Sequence, residues 1–202
     1  FGHGGHGFWL QGPGVEVVDN IATGAAQAAF IFFTASSEAE FSVANLDDPT
    51  LAAGRTTVPV GTVPLKRVSG NTAFASGTGL ETWFHLTHMN DGQSFIDHMT
   101  TWNTDRGIFT PYPGRTTIRD AVVSGRTDGG WLWGTGINRN DVTNNMTYEN
   151  IQVVGWEVGI SVPVNRSSVI RDGSFRNIRD IEIETAHDTI RTVDIVGDPK
   201  FL

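Results

Sequence analysis

TYENIQVVG at 147–155 and VIRDGSFRN at 169–177 carry a polar turn residue, Asn150 and Asp172, at the same point of the same pattern, 22 residues apart. The pattern also lies over VVDNIATG at 17–24, RVSGNTAFASG at 67–77, FIDHMTTW at 95–102, TIRDAVVSG at 117–125 and TIRTVDIVG at 189–197. Polar rungs then fall at Asn20, Asn71, His98, Asp120, Asn150, Asp172 and Thr192. Two residues before each rung stand Val18, Ser69, Ile96, Ile118, Tyr148, Ile170 and Ile190, a mostly apolar column that strand alternation turns inward. Asn and Asp suit the corner because their side chains satisfy turn backbone and tolerate left-handed conformations.

A second signal, a small residue followed by an apolar one, recurs later in each period. It is found at Ala29-Phe30, Gly79-Leu80, Gly107-Ile108, Gly130-Trp131, Gly159-Ile160 and Asp180-Ile181, with Gly7-Phe8 and Lys200-Phe201 at the ends. Two apolar strand signals in a period near 22 match one turn of a three-strand parallel coil, in which each repeat buries its apolar side only by stacking on its neighbours. The expectation is an all-β right-handed parallel β-helix: a solenoid of about eight coils over residues 1–202, one domain, and part of a longer solenoid, since both ends cut through a coil.

Composition narrows the function. Net charge is −8 and lysine occurs only at positions 66 and 200. Nucleic acid is therefore excluded as a partner class, because backbone binding relies on clustered cations. There is no cysteine, so disulfides and thiolate metal sites are ruled out. No apolar run is long enough to span a membrane as a helix.

Intervals longer than one coil mark insertions, expected at about 35–64, 84–93 and 134–145, all leaving from one corner after the second signal. Loops gathered on one side of a repeat stack are the usual place for binding or catalysis. The second insertion holds His85, His88 and Asp91, whose side chains can act as general bases near neutral pH or ligate a divalent metal ion, the one cofactor class that these residue types suggest. The third holds Arg139, whose planar fork suits a carboxylate. On a uronic acid, Arg139 would pair the carboxylate while His85 or His88 took the C5 proton. Trp9, Phe33, Trp83 and Phe109 fall on outward positions of neighbouring coils. They are either the seat of the first insertion or a platform for sugar rings. Asn145-Met146-Thr147 and Asn165-Arg166-Ser167 fit the glycosylation sequon.

HGFWLQGPGVEVVDNIATG at 6–24, FIFFT at 30–34 and SGNTAFASGTGLETWF at 69–84 resemble bacterial secreted right-handed β-helix repeat proteins, and more loosely the β-helix of G8-domain and hyaluronan-degrading proteins. The resemblance implies a secreted, periplasmic or cell-surface protein whose partner is a polysaccharide. Such families include polysaccharide lyases, hydrolases and epimerases as well as passive adhesive or structural solenoids, whose partners are other surface proteins.

Overall fold

Parallel pairing organises the chain from end to end. The computed structural model describes residues 3–34, 40–45, 48–83, 85, 92–126, 130, 132–139, 143–163, 167–183 and 193–202. Seven strands form one parallel sheet in chain order: Glu16–Val18, Arg67–Ser69, Ser94–Asp97, Gly114–Arg119, Asn144–Glu149, Ser168–Arg171 and Val193–Val196. A second, twelve-stranded sheet starts from Phe8–Leu10, Ile21–Thr23 and Ala28–Phe33, which pair onto the long strand Thr72–Trp83 or onto each other. Thr72–Trp83 pairs with Thr100–Thr110, and beyond that strand the sheet divides into two arms. One arm runs through Val122–Ser124, Gln152–Val154, Ser174–Arg176 and Lys200–Phe201; the other through Leu132–Arg139, Trp156–Val162 and Arg179–Ile183. The fold is all-β with long parallel sheets, compatible with a β-helix. Among the described residues the only helical pieces are short 3-10 turns, and no helix is long and apolar enough to cross a membrane.

Because the sheets are parallel and in register, each position stacks on its counterpart in the next layer. Val17, Val68, Ile96, Ile118, Tyr148 and Ile170 form one buried column, and Phe30, Leu80, Ile108, Ile137 and Ile160 another; both belong to a single apolar core. Burying each such side chain contributes about 1.5–3 kcal/mol. The small residue ahead of the second column has a steric cause. A Cβ at Gly79 would lie 2.5 Å from the Gly107 carbonyl oxygen, one at Gly107 2.6 Å from that of Gly136, and one at Gly136 2.9 Å from that of Gly159. These three layers thus leave no room for a side chain against the backbone of the next.

At the corner after the first sheet the register aligns Asp19, Gly70, His98, Asp120, Asn150, Asp172 and Gly197, and every one has a positive φ, between 48 and 80°. Left-handed backbone costs an ordinary residue about 1–2 kcal/mol, which is why Gly, Asn and Asp fill six of these seven places. His98, Asp120, Asn150 and Asp172 are rungs as expected, but the first two rungs are Asp19 and Gly70 and not Asn20 and Asn71. The last is Gly197; Thr192 lies outside the described residues. Asn20 and Asn71 sit one place later, beside the inward corner. Asn71 is 1% exposed and its Oδ1 accepts from the Asn20 backbone and side-chain N–H groups at 3.1 and 3.2 Å, while its own Nδ2 donates to the Val17 carbonyl at 2.7 Å. They form an amide pair, with Asn71 buried and Asn20 half-buried, rather than turn residues.

The outer face of the first sheet carries a column of alternating charge, Asp97, Arg119, Glu149 and Arg171. Arg119 grips both carboxylate oxygens of Asp97 at 2.5 and 3.0 Å, and Arg171 reaches Glu149 at 3.4 Å.

Two insertions leave between the second sheet and the first. The first contains an antiparallel pair, Glu40–Ser42 with Thr57–Pro59, and a small cluster of its own built on Val43, Ala52, Val58 and Val63. The second falls mostly outside the described residues. The extra residues of the fourth repeat lie elsewhere than 134–145. Ser124 pairs with Val154 and Ile137 with Ile160, so thirteen residues cover in one layer what six cover in the next. The added length sits within 125–136, between the two arms of the second sheet, and the small-apolar signal of this layer is Gly136-Ile137, not Gly130-Trp131.

Ile118 and Ile170 have no solvent exposure, whereas Asp120 lies at the surface, where it accepts from Asn150 Nδ2 at 2.8 Å and stands 3.7 Å from His98 Nε2. Ile118→Asp and Ile170→Asp are each expected to lose several kcal/mol, since a lone carboxylate enters the apolar column. Asp120→Asn should cost less than about 1 kcal/mol. Thermal melts of the three variants check this, and equal losses would contradict the register.

Candidate functional site

Strand alternation sets Trp9, Phe33, Trp83 and Phe109 on the outward face of the second sheet, all half-buried. They occupy two adjacent columns. Trp9, Ile31, Glu81 and Phe109 share one register position, and Phe33 and Trp83 share the next outward position. The rings meet diagonally: Trp9 to Phe33 at 5.2 Å, Phe33 to Trp83 at 6.1 Å and Trp83 to Phe109 at 6.5 Å between centroids. His6 extends the row beyond Trp9 at 5.0 Å, and Tyr112 lies 5.6 Å from Trp83. All these separations lie in the range of favourable tilted or edge-on aromatic contacts. The small apolar cluster of the first insertion contains none of these rings.

Polar groups gather beside this row. The Trp83 indole N–H donates to Glu81 Oε1, which brings a carboxylate of only 8% exposure in among the rings. The Arg106 guanidinium lies over the Phe109 ring at 4.6 Å. Glu81 and Arg106 also line a groove of about 170 Å³ with Gln27, Thr78 and Asp105. Glu81, Asp105 and Arg106 were not singled out by the sequence, because a lone charge on an outward strand position reads as solvated. The available signal was a Glu two residues before an outward Trp, in the place that Trp9 and Phe109 hold in other layers.

His85 and Arg139 point the other way. His85 is 1% exposed, meets the Phe32 ring edge-on at 6.1 Å, and its carbonyl accepts the Gly114 N–H at 3.0 Å. Neither of its ring nitrogens makes a well-aligned hydrogen bond among the described residues. Burial holds the imidazole well below its ordinary range, at about 4, with the Phe32 backbone only partly opposing that effect. Arg139 is 7% exposed and two residues after the buried Ile137, so it shares the inward strand face, paired in register with Thr110. Burial pushes the Tyr148 hydroxyl above its ordinary pKa, and nearby Arg139 partly counters it. The strand preceding His85 and the strand carrying Arg139 flank Thr100–Thr110 on opposite sides, two spacings or about 10 Å apart along the stack. His88 and Asp91 lie outside the described residues, as does Asn165 of the second sequon. Among the described residues, no three His, Asp or Glu side chains gather closely enough to hold a metal ion.

No family model matches the chain, and neither the curated proteins nor the solved structures include a significant match to it.

The His85 environment has a pH consequence. Its folded pKa, about 4, lies below the unfolded value near 6.5, so protons bind the unfolded chain more readily. The neutral ring's contribution is complete above pH 6.5 and is lost as pH falls from there to about 4, by up to roughly 3 kcal/mol. Urea unfolding from pH 7 to 4 should show this slope in wild type. In His85→Leu the slope across this window should largely vanish.

Proposed function

We propose that the chain is a right-handed parallel β-helix, exported to the periplasm, the cell surface or the medium, that binds a polysaccharide along its outward aromatic row. The observation that carries this reading is the diagonal succession of Trp9, Phe33, Trp83 and Phe109 across four strand layers, with Glu81 and Arg106 at its edge. Sugar rings have apolar faces that stack on aromatic side chains and hydroxyl edges that hydrogen-bond to charged groups, so a glycan chain is the ligand that uses both features at once. A row repeating along the stack suits a polymer better than an isolated small molecule. The in-register parallel pairing supports the helical reading, and the resemblance of 6–24 and 69–84 to secreted β-helix repeat proteins supports export. Cleavage or epimerisation would draw its reacting groups from elsewhere than His85 and Arg139, which face the interior.

For the glycan reading, Trp83→Ala is expected to reduce binding on a glycan array at least tenfold while lowering Tm by only a few degrees. A large loss of Tm together with no glycan bound by the wild type would mean that the row is a packing seat and would remove the carbohydrate assignment.

A further inference from the structure

We propose that the groove lined by Gln27, Thr78, Glu81, Asp105 and Arg106 is a subsite for one unit of an uncharged, hexose-based glycan, and that it excludes uronic acids. The inference rests on the reading of the aromatic row as a glycan platform, and it names the class of sugar that the platform takes.

Continuity comes first. Two of the groove's side chains are also parts of the aromatic row: Glu81 through the Trp83 indole N–H, and Arg106 through its place over Phe109. A ring stacked on Trp83 or Phe109 therefore has its edge beside the groove. At about 170 Å³ the groove is smaller than the pockets of about 300 Å³ or more that enclose drug-sized ligands. It has room for one monosaccharide unit of a chain and not for several.

Unspent hydrogen-bonding capacity is the second argument. Glu81 Oε1 is taken by Trp83, but Oε2 has no hydrogen bond among the described residues. Arg106 makes no ion pair with Glu81 or Asp105, although all three line one groove, and the Gln27 and Asp105 side chains are likewise without a described partner. Carboxylate acceptors thus face a common space with guanidinium and amide donors. Neighbouring hydroxyls of a hexose, each a donor and an acceptor, answer that arrangement.

Charge then selects among sugars. The groove holds two carboxylates against one guanidinium, in a chain of net charge −8. Glu81 is buried enough for its charge to be weakly screened. A uronate would meet like charge at short range, while an uncharged hexose would not.

The test titrates the whole chain calorimetrically with uncharged hexasaccharides of glucose, mannose and galactose, and with hexagalacturonate. At least one uncharged hexasaccharide is expected to bind, with hexagalacturonate at least tenfold weaker. Glu81→Gln and Arg106→Ala should each weaken the uncharged ligand about tenfold or more, and Glu81→Gln combined with Asp105→Asn should strengthen hexagalacturonate. Asp105 is exposed, so Asp105→Asn alone keeps the test decisive if a Glu81 variant fails to fold; it should relieve part of the discrimination. Binding of hexagalacturonate as tight as that of every uncharged ligand, or unchanged affinity in all the groove variants, overturns the subsite and leaves the aromatic platform standing. Should none of the four hexasaccharides bind, and the glycan array also stay blank, both readings fall together.

Discussion

The constraint on which everything else depends is that parallel strands in register must stack like on like. Backbone N–H groups reach both ways, as Thr72 N–H donates to the Asn20 carbonyl of the layer before and Gly70 N–H to the Asp97 carbonyl of the layer after, so a residue cannot move along its strand without breaking the ladder in two directions. The cross-section at every position is therefore inherited by the next layer. This makes glycine unavoidable at positions 79, 107 and 136, since any other residue there would drive a Cβ into its neighbour's carbonyl. It likewise makes the left-handed corner recur seven times with changing side chains but nearly constant φ.

Within that constraint the inside and outside obey different rules. Inward columns tolerate Val, Ile, Leu, Phe and even Tyr, because neighbouring columns adjust to keep the interior filled. The outward face is free to vary, and there the chain places its distinctive groups: the charge column on the first sheet and the aromatic row on the second. Function in such an architecture is written on surfaces that the core leaves unspecified.

The 22-residue spacing between repeats was legible because the layers from His98 to Asp120 and from Asn150 to Asp172 carry no added residues. The first two rungs were misplaced by one residue. Asp19-Asn20 and Gly70-Asn71 each offer two residues that accept a turn, and only backbone pairing shows which takes the positive φ. Gly130-Trp131 imitated the small-apolar signal six residues ahead of Gly136-Ile137, which displaced an insertion from one corner to another. For the candidate site, alternation correctly turned the four aromatic residues outward. It carried no information on His85, which follows a strand end where loop geometry decides direction, and Arg139 was taken for a loop residue because the small-apolar signal was placed at Gly130-Trp131, whereas it closes the strand Leu132–Arg139. Glu81 was hidden for a different reason: its importance comes from Trp83 and from the strand beside it, and the only local trace is its place two residues before Trp83, which by itself does not show a carboxylate drawn in among the rings.

The alternating charges on the first sheet have a period of two layers, while the backbone repeats every one. Deleting one layer would set Asp97 against Glu149, carboxylate on carboxylate. Deleting two would set Asp97 against Arg171 and restore attraction. The same holds for duplication, so electrostatics tolerates a change of two such layers better than a change of one, and the smallest unit that keeps every charge facing its opposite is twice the smallest unit of the geometry.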